Sequence, residues 1–119
     1  MPIHRYDRIG RSYGRTRRQD PRINAQIADA LSPARTIVNV GAGTGNYEPA
    51  DRHVVAVEPS PAMVNQRSGR SHFVVRGTAE NLPFPDQSFD AALAVLTIHH
   101  WTDVETGLRE MARVADRQV

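Results

Sequence analysis

Four short apolar runs constrain this chain more than any other feature of its sequence. They span residues 36–40, 54–57, 72–75 and 89–96, and in each of them apolar side chains follow one another with few polar interruptions. Strands of this kind are buried on both faces, as in parallel sheets whose connections place helices on either side. The sequence therefore predicts an α/β fold with four parallel strands.

Helical segments precede, separate and follow these runs. Asp20-Pro21 is typical of an N-cap followed by the first residue of a helix, and Ser32-Pro33 ends that helix. A second, short helix is predicted to start at Ser60-Pro61. Thr102 and Glu105 have the spacing of a capping box in front of the last helix. The predicted buried stripe of that helix consists of Val104, Leu108, Met111 and Ala115.

The composition is that of one globular domain. The chain has 119 residues, and 39% of them are hydrophobic, which is too many for a disordered protein. Cysteine is absent, which excludes disulfides and thiolate zinc sites. No apolar run is long enough to cross a membrane, and no segment typical of a secretory signal is visible. We therefore expect a cytoplasmic domain.

The positive charge of the chain is concentrated near its start. All 15 basic side chains are arginines, and seven of them lie in the first 22 residues. This predicts an Arg-rich leader over residues 1–19 and a domain over residues 20–119. A basic arm can neutralise phosphates, but the aromatic side chains that could stack on bases are limited there to Tyr6 and Tyr13. The pattern therefore favours a solvated leader over nucleic-acid binding.

A glycine-rich bend follows the first run directly. The sequence of residues 38–45 is VNVGAGTG, so Gly41, Ala42, Gly43 and Gly45 form a turn with almost no side chains. A ligand can touch such a backbone closely, and open α/β sheets bind nucleosides at this end of the first strand. The spacing is GxGxG instead of GxGxxG, and a plain tight turn is the alternative interpretation.

Glu58 ends the second run. A carboxylate at that position can accept two hydrogen bonds from a ribose diol, whereas the alternative is an acid at the surface end of a strand. Together with the glycine bend, Glu58 predicts a nucleoside-binding site at the carboxyl ends of the first two strands.

The segment GTAENLPFPDQSFD, residues 77–90, leads into the fourth run. Together with VNVGAGTGNY, VVAVEPSPAMV and REMARV, in this order, it resembles the class I S-adenosylmethionine-dependent methyltransferases of the small-molecule type. The stretch with Tyr6-Asp7 and Tyr13 is similar to that family's leader. The resemblance implies a Rossmann-like three-layer sandwich, S-adenosylmethionine as cofactor and a small-molecule methyl acceptor.

The resemblance also implies roles for individual residues. The bend formed by Gly41, Ala42, Gly43 and Gly45 would bind the cofactor, with Gly41 and Gly43 approaching its methionine part. Glu58 would hold the ribose hydroxyls. The residues implied around the adenine are Pro59, Ser60, Met63, Thr78, Ala79 and Glu80. Leu96 and Thr97 would lie beside the sulfonium, and Tyr13 could close over the site as part of an N-terminal lid. Ordinary core packing is the alternative for Met63 and Leu96.

His99-His100-Trp101 follow the fourth run, where the methyl acceptor is expected. One of the two histidines could deprotonate an acceptor oxygen or nitrogen. The alternative is that both are loop residues and that Trp101 packs under the last helix. A metal site is not expected, because adjacent side chains seldom share one ion and no third ligand is evident.

Three departures from the family pattern affect these expectations. Only residues 46–52 separate the glycine bend from the second run, so the usual helix there would be a single turn or missing and would leave one sheet face thinly covered. Thr78 stands where many relatives place an acid that binds the adenine amine. The family fold has three further strands beyond the last helix, so a chain that stops at Val119 would leave the fourth strand as an open edge available for self-association.

The sequence thus predicts a methyltransferase domain that lacks the C-terminal half of the family fold. Three alternatives stay open: a non-catalytic module that binds the cofactor or nothing, an NAD-dependent dehydrogenase, and a nucleic-acid-binding module. Asn46, where the dehydrogenase pattern has a glycine, and the LPFPDQSFD segment disfavour the dehydrogenase.

Overall fold

The computed structural model describes residues 20–42, 47–49, 51–65, 73–95 and 97–119. The predicted leader over residues 1–19, with Tyr13, lies outside the described residues. The same holds for three further predicted site residues, Gly43, Gly45 and Leu96.

The described part of the chain contains three helices, five strands and one 3₁₀ turn. In chain order they are α1 (Pro21–Leu31), β1 (Thr36–Val40), β2 (His53–Val57), α2 (Pro61–Asn65), β3 (Phe73–Val75), β4 (Phe89–Leu93), a 3₁₀ turn (Ile98–His100), α3 (Val104–Val114) and β5 (Ala115–Gln118). The strands β1, β2, β3 and β4 lie at the predicted apolar runs, although β4 ends at Leu93. None of the described helices is long and apolar enough to cross a membrane.

The strands form one parallel sheet in the order β3-β2-β1-β4-β5. The α1 helix covers one face, where Ile27 and Leu31 pack with Ile37. The α3 helix covers the other face, where Met111 packs with Val38. Consecutive residues of β1 thus point to opposite layers, as expected for a strand buried on both sides. The predicted α/β class and Rossmann-like sandwich are confirmed.

The number of strands was predicted wrongly. A fifth strand, β5, begins directly after α3 and pairs with β4, so β4 is not the open edge that was expected. The sequence ADRQ of β5 has a single apolar residue, Ala115, and the three residues after it are exposed. A strand at the edge of a sheet can be this polar, because most of its side chains face solvent. The argument for self-association through β4 therefore falls, since Ala91, Ala92 and Leu93 are fully covered.

The β5 strand is also hydrogen-bonded to the end of the α1 helix. The Arg117 guanidinium donates hydrogen bonds from Nη1 to the carbonyl oxygens of Ala30 and Ser32, at distances of 3.1 and 3.0 Å. These carbonyls lie at the C-terminal end of α1, where backbone oxygens have no partner within the helix and a positive charge is favourable. The contact connects the last strand of the chain to the first helix.

The start of α1 agrees with the prediction, whereas the start of α3 does not. Asp20 caps α1 by accepting a hydrogen bond from the Arg22 amide, and its pKa is lowered by that bond and by the Arg22 side chain. The α3 helix is capped by Asp103, whose carboxylate accepts from the Thr106 amide, instead of by Thr102. The predicted capping box is therefore wrong by one residue.

The buried face of α3 also differs from the predicted stripe. Gly107, Met111 and Val114 face the sheet, whereas Val104 and Leu108 are 40% and 45% exposed, and Ala115 already belongs to β5. Gly107 allows α3 to pack closely against the Trp101 ring, because a Cβ atom at this position would lie 2.7 Å from Trp101 Cζ3. Trp101 thus packs under the last helix, as the non-catalytic interpretation of this segment predicted.

The connection between β1 and β2 has no helix among its described residues 41–42, 47–49 and 51–52. The sheet face there is nevertheless covered, because Tyr47 is buried among Ile37, Val54 and the residues of α1. The Tyr47 hydroxyl accepts a hydrogen bond from the Asp20 amide at 2.9 Å, which connects this segment to the start of α1. The side chain of Tyr47 therefore fills the space that a crossover helix usually fills.

Asp90 joins the amino ends of β1 and β4. Its carboxylate accepts hydrogen bonds from the amides of Arg35 and Thr36 at 2.9 and 3.2 Å, and its own amide donates to Thr36 Oγ1 at 2.9 Å. These bonds favour the ionised form and lower the pKa of Asp90 below its usual value of 3.8. Asp90, the aspartate of the SFD segment, thus stabilises the amino ends of the strands, whereas the nucleoside site was predicted at their carboxyl ends.

We expect Asp90→Asn to lower the free energy of unfolding at pH 7, because the carboxylate that accepts both amides is lost. A folded pKa below the unfolded value stabilises the protein above about pH 4, and this contribution disappears as the pH falls through the folded pKa. The difference between variant and wild type should therefore shrink at pH 3. Urea unfolding at both pH values measures it, with Asp116→Asn, an exposed change of the same charge, as the control. Equal unfolding midpoints at pH 7 would contradict this role.

Candidate cofactor-binding site

The register between β1 and β2 brings the two strongest sequence signals together. Val40 pairs with Val57, so the residues that follow them, Gly41 and Glu58, leave neighbouring strands at the same level. The amides of Gly41 and Ala42 both donate to the Val57 carbonyl, at 2.8 and 3.0 Å. The first two residues of the bend, Gly41 and Ala42, are therefore hydrogen-bonded to the end of β2, next to Glu58 in the chain.

Gly41 is required at its position for two independent reasons. Its φ angle is +69°, in the left-handed region that residues with a Cβ atom adopt at a cost of about 1–2 kcal/mol. A Cβ atom would also lie 2.9 Å from Thr97 Cγ2 and closer still to Thr97 Oγ1. The close approach means that Thr97, which follows the end of β4, lies against the start of the glycine bend.

Glu58 is 5% exposed and held by its own turn. Its amide donates to the Val75 carbonyl at 3.0 Å, and its Oε2 accepts from the Ser60 amide at 2.7 Å. These bonds fix the carboxylate beside the strand ends. An ionised carboxylate has about four acceptor positions, so this group is able to bind the two hydroxyls of a ribose.

The residues after Glu58 form a short, well-packed wall. Ser60 is fully buried, and its hydroxyl accepts from the Met63 amide at 3.3 Å at the start of α2. Met63 is 2% exposed, and Pro59 is half-buried. Its burial makes Met63 part of the packed interior, which agrees with the core interpretation and leaves an adenine contact as a prediction.

The third predicted segment lies over the α3 side of the sheet. Ala79 is 5% exposed and packs in the same core cluster as Val40 and Val57. Thr78 is exposed and bridges to Asn81, and the carboxylate of Glu80 accepts from the Asp103 amide at 3.0 Å. Glu80 thus holds the loop on the start of α3, and adenine contacts of Thr78, Ala79 and Glu80 stay predictions.

The two candidate catalytic histidines lie in the 3₁₀ turn after β4. The rings of His99 and His100 are 3.7 Å apart with a tilt of 48°, and both side chains are exposed. His99 is two residues beyond Thr97, so at most about 7 Å of chain separates their Cα atoms. The two histidines therefore follow Thr97 closely and are exposed, and their contact with an acceptor stays a prediction. No group of three metal-binding side chains occurs among the described residues.

Two polar pairs next to the site had no clear signal in the sequence. Asn39, in the middle of β1, donates from Nδ2 to Glu48 Oε2 at 2.8 Å, and both residues are buried. Asn39 precedes the glycine bend in the chain and Glu48 follows it, so their hydrogen bond joins the two ends of this segment. The second pair is Glu110 and Arg113 of α3, which contact the loop after Glu80. A polar residue within an apolar run was the signal that could have identified Asn39.

Comparison with known proteins assigns the fold to one family. The model described as "Methyltransferase domain" matches residues 38–118. An uncharacterized methyltransferase of Mycobacterium tuberculosis is 37% identical over an alignment of 114 residues that covers 89% of this chain and 46% of that protein. The chain spans less than half the length of the first curated relatives, with 35% of a Bacillus subtilis methyltransferase as the lowest of these values.

Two crystal structures are similar in both sequence and fold. A candidate methyltransferase from an antibiotic biosynthesis pathway of Anabaena variabilis has a TM-score of 0.76 at 37% identity, over 84% of this chain and 43% of that chain. An S-adenosylmethionine-dependent methyltransferase of Thermotoga maritima, described as a proposed histamine N-methyltransferase, has a TM-score of 0.73 at 35% identity, over 92% of this chain and 55% of that chain.

We expect Asn39→Ala to lower the free energy of unfolding by about 1–3 kcal/mol, because the buried Glu48 carboxylate loses the Asn39 amide as a donor. Urea denaturation at pH 7 measures the change. The control is Asn24→Ala on the exposed surface of α1, which should change stability by no more than about 0.5 kcal/mol. Equal effects of the two substitutions would show that the Asn39 bond contributes nothing.

Proposed function

This chain belongs to the S-adenosylmethionine-dependent methyltransferase family, and we propose that it transfers the methyl group of this cofactor to a small-molecule acceptor. The observation that carries the proposal is the pairing of Val40 with Val57, which sets the glycine bend and the Glu58 carboxylate side by side. A bend with exposed backbone suits the methionine part of the cofactor, and a buried carboxylate beside it suits the ribose.

The proposed roles follow from the chemistry of methyl transfer. S-adenosylmethionine supplies a methyl group already activated by its sulfonium, so the protein needs no nucleophilic residue or metal of its own. The chain has to orient the cofactor and exclude water. We assign the methionine part to Gly41 and Ala42, the ribose to Glu58, the adenine edge to Thr78 and Ala79, and the neighbourhood of the sulfonium to Thr97.

The acceptor class is proposed from two considerations. The Thermotoga maritima relative is described with histamine, a small amine, and the Anabaena variabilis relative with antibiotic biosynthesis. In this chain His99 and His100 are exposed beside the predicted site, where either ring can take a proton from an amine or a hydroxyl. We therefore propose that the acceptor is a small molecule with an amine or a hydroxyl group. We further propose that one of the two histidines removes the proton of that group.

We expect Glu58→Ala to weaken binding of S-adenosylhomocysteine by about 100-fold, because two hydrogen bonds to a charged group are lost. Isothermal titration calorimetry on the full chain measures the affinity. Glu58→Gln keeps an acceptor for the Ser60 amide and separates loss of ribose binding from loss of the turn. Glu105→Ala, which removes an exposed carboxylate paired with Arg109 on α3, is the control. An affinity unchanged in both Glu58 variants would rule out the ribose assignment.

Replacing both His99 and His100 by Ala should leave the affinity for S-adenosylhomocysteine within about twofold, because the two rings are exposed and lie outside the proposed cofactor contacts. Methyl transfer should fall by about 10²–10⁴-fold, the usual contribution of a general base. Transfer of a labelled methyl group to a panel of small amines and phenols measures the rate. A full rate in the double variant would remove the histidines from the mechanism, and cofactor binding without transfer in the wild type would favour the non-catalytic alternative.

A further inference from the structure

The loop that carries the proposed adenine contacts is held by two charged residues of α3. Arg113 and Glu110 form a paired fork, in which Arg113 Nε donates to Glu110 Oε2 at 2.6 Å and Nη2 donates to Glu110 Oε1 at 3.0 Å. Both side chains are partly buried, at 32% and 17% exposure. The fork is therefore shielded from solvent enough to act as a fixed structural element, unlike the exposed pair of Arg109 and Glu105 on the same helix.

The fork binds the backbone of the loop at both polar atoms of one residue. The Leu82 amide donates to Glu110 Oε1 at 2.9 Å, and the Leu82 carbonyl accepts from Arg113 Nη2 at 3.0 Å. Arg113 Nη1 donates in addition to the Phe84 carbonyl at 2.8 Å and to Asp86 Oδ1 at 2.9 Å. Arg113 thus contacts every second residue of the loop from Leu82 to Asp86.

The charges of the fork support each other. The Arg113 hydrogen bonds lower the pKa of Glu110, and the carboxylates of Glu110 and Asp86 raise the pKa of Arg113. Glu110 and Arg113 are therefore both charged at neutral pH. A planar guanidinium that already faces a carboxylate loses little conformational entropy when it also binds carbonyls, which makes it a rigid anchor for backbone.

The anchored residue is close in the chain to the proposed adenine contacts. The Asn81 amide donates to the Thr78 carbonyl at 3.3 Å, so residues 78–81 form a tight turn that moves with Leu82. Leu82 itself is 3% exposed and packs beside Ala79 in the core cluster. Between them, Glu80 holds the same loop on the Asp103 amide. The position of Thr78 and Ala79 thus depends on how firmly α3 holds the loop.

We propose that Arg113 and Glu110 are positioning residues that determine how tightly, and how selectively, the site holds the adenine of its cofactor. This inference rests on the proposed function, which assigns the adenine edge to Thr78 and Ala79. A loop fixed by four hydrogen bonds to the fork presents one shape to the base and rejects a substituent on the adenine amine. A loop that has lost the fork can move away and accept that substituent.

The inference is tested with two ligands, S-adenosylhomocysteine and its derivative methylated at the adenine N6. Calorimetry on the full chain gives both affinities, and their ratio measures discrimination at the base. The variants are Arg113→Met, which removes the charge and the fork, and Arg113→Lys, which keeps the charge and loses the fork. Arg109→Met is the matched control, since Arg109 lies on the same helix and is paired there with Glu105. Thermal unfolding monitored by circular dichroism shows that each variant is folded.

We expect the wild type and Arg109→Met to bind the methylated ligand markedly more weakly than the parent nucleoside. Arg113→Met should bind the parent about tenfold more weakly, with the ratio of the two affinities approaching one, and Arg113→Lys should lie between these limits. If Arg113→Met is unfolded, Arg113→Lys decides by the same ratio. A purely structural role for Arg113 would lower both affinities and keep their ratio.

Two results would overturn the inference in different ways. A wild-type ratio that is retained by the folded Arg113 variants would show that the fork does not position the base, while the proposed function stands. Absence of binding of either nucleoside to the wild type would overturn the proposed function, and this inference with it.

Discussion

The parallel pairing of β1 with β2 is the interaction on which the site depends. Gly41 and Glu58 are far apart in the chain, and neither can bind a nucleoside alone. The ladder that aligns Val40 with Val57 sets both at one level, and the two amides that the bend donates to the Val57 carbonyl hold them there. Because neighbouring strands lie about 4.8 Å apart, the ladder also sets the distance between a backbone surface and a carboxylate. The geometry of the site is thus a consequence of sheet register.

The amino ends and the carboxyl ends of the strands have different roles. At the amino ends of the strands, Asp90 binds the amides of Arg35 and Thr36 and so fixes β4 beside β1. At the carboxyl ends, the close approach of Thr97 to Gly41 leaves no room for a side chain at that position. The carboxylate at the amino ends thus joins two strands, whereas the carboxylate at the carboxyl ends, Glu58, is buried beside the half-buried Gly41 and Ala42. This division explains why an aspartate in a family segment serves the fold and not the ligand.

The sequence predicted those parts of the structure that have a local signal. The run 36–40 became β1 with the same bounds, because a strand buried on both faces must be apolar almost throughout. The β5 strand has no such run and was missed, since its pairing with β4 supplies its stability. The cap of α3 was misplaced by one residue, because Thr102 and Asp103 are both good caps and lie next to each other in the sequence. The fork of Glu110 and Arg113 was invisible, since its partners lie about 30 positions earlier in the chain.

The α3 helix connects the two halves of the proposed active site. Its N-terminal cap is Asp103, whose amide also holds Glu80, and the histidine turn ends just before it at His100. The helix therefore fixes the adenine loop through its side chains and the acceptor side through its own start. By contrast, the backbone amides of Gly41 and Glu58 are hydrogen-bonded to the neighbouring strands, to the carbonyls of Val57 and Val75. Under the proposed function, a change that shifts α3 would alter recognition of the base and approach of the acceptor together, while the hydrogen bonds of the Gly41 and Glu58 amides stay in place.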